Sequence, residues 1–284
     1  MKEKKVSVCS IDRQMKYGKS GNCFSTSELK NIAQVLKKEK KIGKIPESRS
    51  ALQKTIQQSF QNQCSIDKNK QEACWIQQPI VRKYTHLTKS LESALKPAMP
   101  NSWKQDKFTW LSSIDIFDAM KPFEKKWKDF IFLGPFPRDC PVGIQCPLSN
   151  LSPESLLKSG KKKIGIIYNL DLHDEPGSHW VAVFIHLTKG HIEYYDSYGS
   201  PPEELIYGFM RSFAEKLNQF YKNKKVITID FSRRRHQYGG SECGMFSMVF
   251  LLQRLQGYSL RNIEKQNLTD SFVNHMRFVM FRSN

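Results

Sequence analysis

Apolar positions along the 284 residues follow two rhythms, one of helical period in the first third and one of short continuous runs later. From Ser25, a Ser/Thr cap with Glu28 three residues on opens a segment in which Leu29, Ile32, Ala33 and Leu36 share one face, with lysines opposite. Further helical stretches are expected near 48–62 and 78–95, the second closed by Pro97 and Pro100. Residues 1–22 are polar and read as a mobile lead-in. Residues 1–100 carry no strand pattern and form an expected helical accessory region. No internal repeat is visible.

After Pro100 the pattern changes. Residues 101–133 are the most aromatic stretch, ended by Gly134-Pro135-Phe136-Pro137, and 138–163 reads as a proline-punctuated connection. Four strand-like runs are then expected: Ile164–Leu170, Trp180–Leu187, His191–Asp196 and Val226–Phe231. Thr188-Lys189-Gly190 is short enough to pair the second and third as a hairpin. Pro202–Tyr221 reads as an amphipathic helix, and an apolar helix from Gly244 to about Gln256 is closed by Gly257. Strands paired locally, with helices laid on them, make an α+β fold rather than an alternating βαβ one.

Length allows a catalytic domain at 101–284 beside a smaller one at 1–100. The formal charge of +18 is uneven: residues 1–100 hold 20 Lys/Arg against 8 Asp/Glu. Runs such as Lys37-Lys38-Glu39-Lys40-Lys41 suit DNA or an acidic scaffold, although a solvated lysine-rich surface gives the same composition. No apolar stretch reaches the roughly 18 residues of a membrane span. Seven cysteines without a CxxC pair argue against structural zinc, and no metal or cofactor is called for. A reducing compartment is expected, where a free thiol survives.

The chemistry concentrates in Gln237-Tyr-Gly-Gly-Ser-Glu-Cys243-Gly244. Cys243 stands at the head of the apolar helix, whose free N–H groups and dipole favour a thiolate. His179, at a loop-to-strand junction, and Asp196, at the end of the neighbouring strand, fall roughly opposite each other in a hairpin turning near residue 189. The carboxylate then orients the imidazole, and the imidazole activates the thiol. Asp171, Asp174, Glu175 and Asp230 are alternative acids of lower rank. The Gln237 amide, with the Cys243 backbone N–H, can receive an oxyanion. Gly244 leaves room for a substrate to approach the thiol.

The set His179-Trp180, Asp196 and Gln237-x5-Cys243-Gly244 resembles the cysteine proteases of the Ulp1/SUMO-protease and adenovirus-protease group. The likeness is nearest to the polyprotein-processing proteases of African swine fever virus and other large DNA viruses, over His179–Ser200 and Gln237–Phe250. It implies a central mixed sheet flanked by helices, with Cys243 as nucleophile, His179 as base and acid, Asp196 as the orienting residue and Gln237 as oxyanion donor. The swine-fever type carries Asn at the third position, whereas Asp196 follows the Ulp1 pattern. Trp180 is similar to the family tryptophan roofing a channel for Gly-Gly; Trp110 resembles the opposite wall, or is a plain core aromatic. The implied substrates are virion precursors with Gly-Gly-Xaa sites, cut in host cytoplasm and virion. Ubiquitin-like conjugates are the alternative. Outside this class, a non-enzymatic basic nucleic-acid-binding core protein with a structural Cys243 remains open.

Overall fold

A computed structural model of the chain describes residues 7–17, 22–64, 68–106, 108–140 and 146–282, and these divide into two compact units. The first comprises residues 1–100 and 278–284, the second residues 101–277. No described helix is long and apolar enough to cross a membrane.

The first unit is helical: α1 (Ile11–Tyr17), α2 (Thr26–Lys38), α3 (Arg49–Ser59), α4 (Lys68–Gln77), α5 (Pro79–Arg82) and α6 (Thr85–Glu92). Ser25 and Glu28 form a reciprocal capping box on α2, a device of about 1 kcal/mol. Leu29, Ile32, Ala33 and Leu36 of α2 are fully buried and meet Leu52 and Ile56 of α3, Trp75 of α4 and Leu91 of α6. Lys37, Lys38, Lys40 and Lys41 stay exposed. One expectation is corrected here. Residues 11–17 are helical rather than a loose lead-in, because Gln14 and the N–H groups of Arg13 and Gln14 bond back to Cys9 and Ser10. The other residues of that lead-in, 1–6 and 18–21, lie outside the described set.

The cysteines also depart from the expected reduced set. Cys9–Cys23, Cys64–Cys74 and Cys140–Cys146 are disulfides, leaving Cys243 as the one free thiol among the described residues. Sequence spacing does not show which cysteines meet in space. Each bridge joins residues close in the chain, the widest separation being 14.

The second unit is built on a five-stranded mixed sheet in sequential order: β1 (Phe130–Pro137), β2 (Lys163–Asn169), β3 (Trp180–His186), β4 (His191–Tyr195) and β5 (Thr228–Phe231). β2–β3 and β3–β4 are antiparallel, while both edge strands run parallel to their neighbours. β1 was hidden in the sequence behind Gly134, Pro135 and Pro137. Prolines are tolerated there because β1 is an edge strand, and its register with β2 shifts between Phe132 and Pro135. Ahead of the sheet come α7 (Ser113–Met120) and α8 (Phe123–Lys126), with α9 (Pro153–Lys158) between β1 and β2.

Alternation assigns the two faces of the sheet. Ile164, Ile166, Val181, Val183, Ile185, Ile192 and Tyr194 pack with Ile206, Phe209, Met210, Phe213 and Leu217 of α10 (Glu204–Phe220). The opposite face meets α11 (Cys243–Leu255): Tyr195 stacks on Phe250 at 4.7 Å, and Arg254 pairs with buried Glu193 at 2.5 Å. α12 (Leu260–Glu264) and α13 (Asp270–Met280) follow.

Two glycines read this packing differently. Gly199, after β4, has a φ of +79°, and an added Cβ would lie 2.9 Å from the Arg233 carbonyl oxygen. Gly208, inside α10, has open space at that position. Gly199→Ala is expected to cost on the order of 1–3 kcal/mol in urea unfolding, and Gly208→Ala to gain about 0.5–1 kcal/mol. The opposite ranking would show that the turn after β4 is not held as described.

Candidate active site

Cys243 is the first residue of α11 and is 2% exposed. α11 lies against β3, and the Ser247 hydroxyl donates to the Trp180 carbonyl at 3.1 Å, fastening the helix to the start of that strand. This sets the thiol beside His179, the residue preceding β3. The His179 Nε2 lies 2.6 Å from Asp196 Oδ1, and both Asp196 and Cys243 favour the charged form of the ring. With Nε2 committed to the carboxylate, Nδ1 is the nitrogen left for sulfur. Asp196 is 1% exposed and also accepts the Tyr198 N–H at 2.9 Å. Burial pulls the His179 pKa down, but its bonds to Asp196 and Cys243 outweigh that and place it at about 9.

The hairpin geometry differs in detail from the expectation. β3 and β4 pair Ala182 with Tyr195 and His186 with His191. Continuing that register sets His179 opposite Tyr198, with Asp196 reaching it diagonally. Tyr198 accordingly stacks on His179, ring centroids 4.7 Å apart and planes 13° apart. Arg235 lies 5.2 Å from the centroid of the tyrosine ring. Sequence reading passed over Tyr198, although correct register counting points to it.

Three of the four alternative acids are engaged elsewhere. Asp171 accepts from Ser178 and Gly177, Glu175 accepts the Leu172 N–H, and Asp230 pairs with Arg233 and Arg261. Gln237 is fully buried: its Oε1 accepts the Ser197 hydroxyl at 2.6 Å and its Nε2 donates to the Gly239 carbonyl at 2.9 Å. One amide hydrogen remains beyond that bond. The N–H groups of His236 and Gln237 both reach the Ser197 carbonyl, so the Gln237 loop is sewn to the turn bearing Asp196.

Trp180 and Trp110 line one cleft of about 510 Å³, together with Leu111, Phe136, His173 and Pro176. Trp110 is 43% exposed and so is no plain core aromatic. The indole N–H of Trp180 donates to the Leu111 carbonyl at 3.0 Å. The cleft stops at Trp180, without touching Cys243 or His179. Gly244 is a correction: a Cβ there would lie 3.1 Å from Leu111 and 3.2 Å from Trp180. The missing side chain lets Leu111 and Trp180 pack closely against the head of α11.

Residues 160–281 match the Ulp1 protease family, C-terminal catalytic domain. The chain is 38% identical over 176 residues to a protein of Acanthamoeba polyphaga mimivirus named as a thiol protease. That match covers 61% of this chain and 57% of the relative, so just over half of the relative's length is spanned. It is 25% identical over 231 residues to a cysteine protease of African swine fever virus, covering 74% of this chain and 82% of the other. A crystal structure of that virus's protease has a TM-score of 0.66 at 20% identity, covering 86% of this chain and 94% of the other; the fold is shared.

A raised histidine pKa fixes the sign of a pH effect. Stability from the His179 contacts is present in full below the ordinary value of 6.5 and is lost as pH rises through about 9. Titration of the His179 ring by NMR is expected to show a midpoint near 9, moving down in Asp196→Asn. An unmoved midpoint would show that the carboxylate does not hold the imidazolium.

Proposed function

With residues 160–281 matching the Ulp1 protease family's catalytic domain, we propose that the chain is a cysteine protease that cleaves after Gly-Gly and matures virion precursor polyproteins. The observation that carries the mechanism is the 2.6 Å contact of Asp196 Oδ1 with His179 Nε2, on a ring whose charged form Cys243 also favours. His179 takes the thiol proton, and sulfur attacks the scissile carbonyl. The developing oxyanion is received by the free amide hydrogen of Gln237 and the Cys243 backbone N–H. The imidazolium then protonates the leaving amine, and water, deprotonated by the same ring, releases the acyl group.

The paired indoles of Trp110 and Trp180 on one cleft support Gly-Gly selectivity, because flat walls favour residues without a Cβ. The viral sources of the relatives support virion precursors as substrates, met at assembly sites in the host cytoplasm and in the particle. A ubiquitin-like tail offers the same Gly-Gly chemistry and is the competing reading; probes carrying such tails separate the two. The exposed lysines of the first unit support a second role, holding the enzyme on DNA or an acidic scaffold. Cleavage of a scaffold-bound precursor then falls with salt while a short free peptide is unaffected.

Cys243→Ala and His179→Ala are expected to lose at least ~10³-fold in kcat on a Gly-Gly-Xaa peptide while remaining folded. Replacing either substrate glycine by alanine should cost a comparable factor. Turnover by Cys243→Ala at the wild-type rate, or equal cleavage after Ala-Ala, refutes the corresponding part of the reading.

A further inference from the structure

The loop between Gln237 and Cys243 has few apolar anchors; polar groups of α13 hold it instead. Positions 270, 273/274, 277 and 280 follow the spacing of a helix face turned inward, and Val273 and Met280 are buried as that spacing requires. The same face also carries Asp270, Asn274 and Arg277. Asp270 accepts the N–H groups of Tyr238 and Gly239, the latter at 2.9 Å. Asn274 donates to Glu242 Oε1 at 2.9 Å and accepts Arg277 Nε at 3.0 Å.

Arg277 is 2% exposed, its guanidinium 4.6 Å from the Trp103 ring. One Nη donates to the Ser241 carbonyl at 3.2 Å and the other to the Thr109 carbonyl at 3.0 Å. Ser241 lies two residues before Cys243, and Thr109 precedes Trp110-Leu111, the segment that Trp180 clasps from the other side. A single planar fork therefore ties the nucleophile loop to the tryptophan wall of the cleft. Burial draws the Arg277 pKa below its ordinary value, while attraction to Glu242 and Cys243 opposes that.

We propose that Arg277, supported by Asn274 and Asp270, is a positioning residue for the reaction, setting the Tyr238–Glu242 loop and the Thr109–Leu111 strap in register over Cys243. The inference rests on the protease reading above and names a residue that touches none of the reacting atoms. Loss of the fork displaces the oxyanion donors and the cleft wall together, so the chemical step suffers more than ground-state binding does. Misplacement of about 1 Å in such a site costs on the order of 10²-fold.

The test compares wild type, Arg277→Lys, Arg277→Met and Asp270→Ala on one Gly-Gly-Xaa peptide, with thermal unfolding and iodoacetamide alkylation of Cys243 measured on each. Arg277→Met is expected to lose about 10²-fold in kcat with KM changed less than about threefold. Arg277→Lys, which keeps the charge and one donor, should recover about tenfold of that loss. Asp270→Ala, at a half-buried site, is expected to lose about tenfold and decides the matter if Arg277→Met does not fold. A folded Arg277→Met, or failing that Asp270→Ala, turning over within twofold of wild type overturns the inference, as does a loss confined to KM. Failure of the protease reading is distinguishable: wild type then cleaves no peptide. The alkylation rate still decides the inference, expected to shift about tenfold in Arg277→Met and overturning it if unchanged.

Discussion

The antiparallel pairing of β3 with β4 is the constraint on which the site depends. It turns a separation of 17 residues between His179 and Asp196 into a 2.6 Å contact, and it delivers Tyr198 onto the outer face of the imidazole. Fixing β3 also fixes α11, because the helix lies along that strand and is tied to the Trp180 carbonyl by Ser247. The thiol is thus placed by the sheet, through a helix whose own sequence is almost wholly apolar. Burial of Tyr195 against Phe250 and of Glu193 against Arg254 holds the helix in this position along its length. Displacing α11 would separate that ion pair in a dry interior, a costly state.

The site's electrostatics follow from how little water reaches it. Asp196, His179 and Cys243 are all nearly inaccessible, so each charge in the chain is stabilised mainly by its neighbour. A buried imidazole would ordinarily lose its proton more readily, yet His179 is held at about 9 because its interactions with Asp196 and Cys243 outweigh burial. Among the described residues the chain has a single free thiol, the other six cysteines being cross-linked in pairs.

Much of this was legible in the sequence where period and chemistry agreed. The Ser25/Glu28 cap, the apolar stripe of α2, four of the five strands and the amphipathic α10 all follow from local pattern. Residue types also brought Cys243, His179, Asp196 and Gln237 into one hypothesis. What escaped was information carried by pairing rather than by pattern. β1 contains Gly134, Pro135 and Pro137, and only its place at the sheet edge permits them. Gly244 suggested an open approach until Leu111 and Trp180 were seen to fill the space. The disulfide partners, and the use of Arg277 in a position that pattern assigns to a core residue, depend on contacts between distant segments.

The support of the nucleophile loop by α13 has a consequence for synthesis. During translation Cys243 and its loop leave the ribosome before Asp270, Asn274 and Arg277 do. Until those residues fold back, the Tyr238 and Gly239 N–H groups and the Ser241 carbonyl lack their partners. A nascent chain therefore carries its thiol well before it carries the scaffold that orders it.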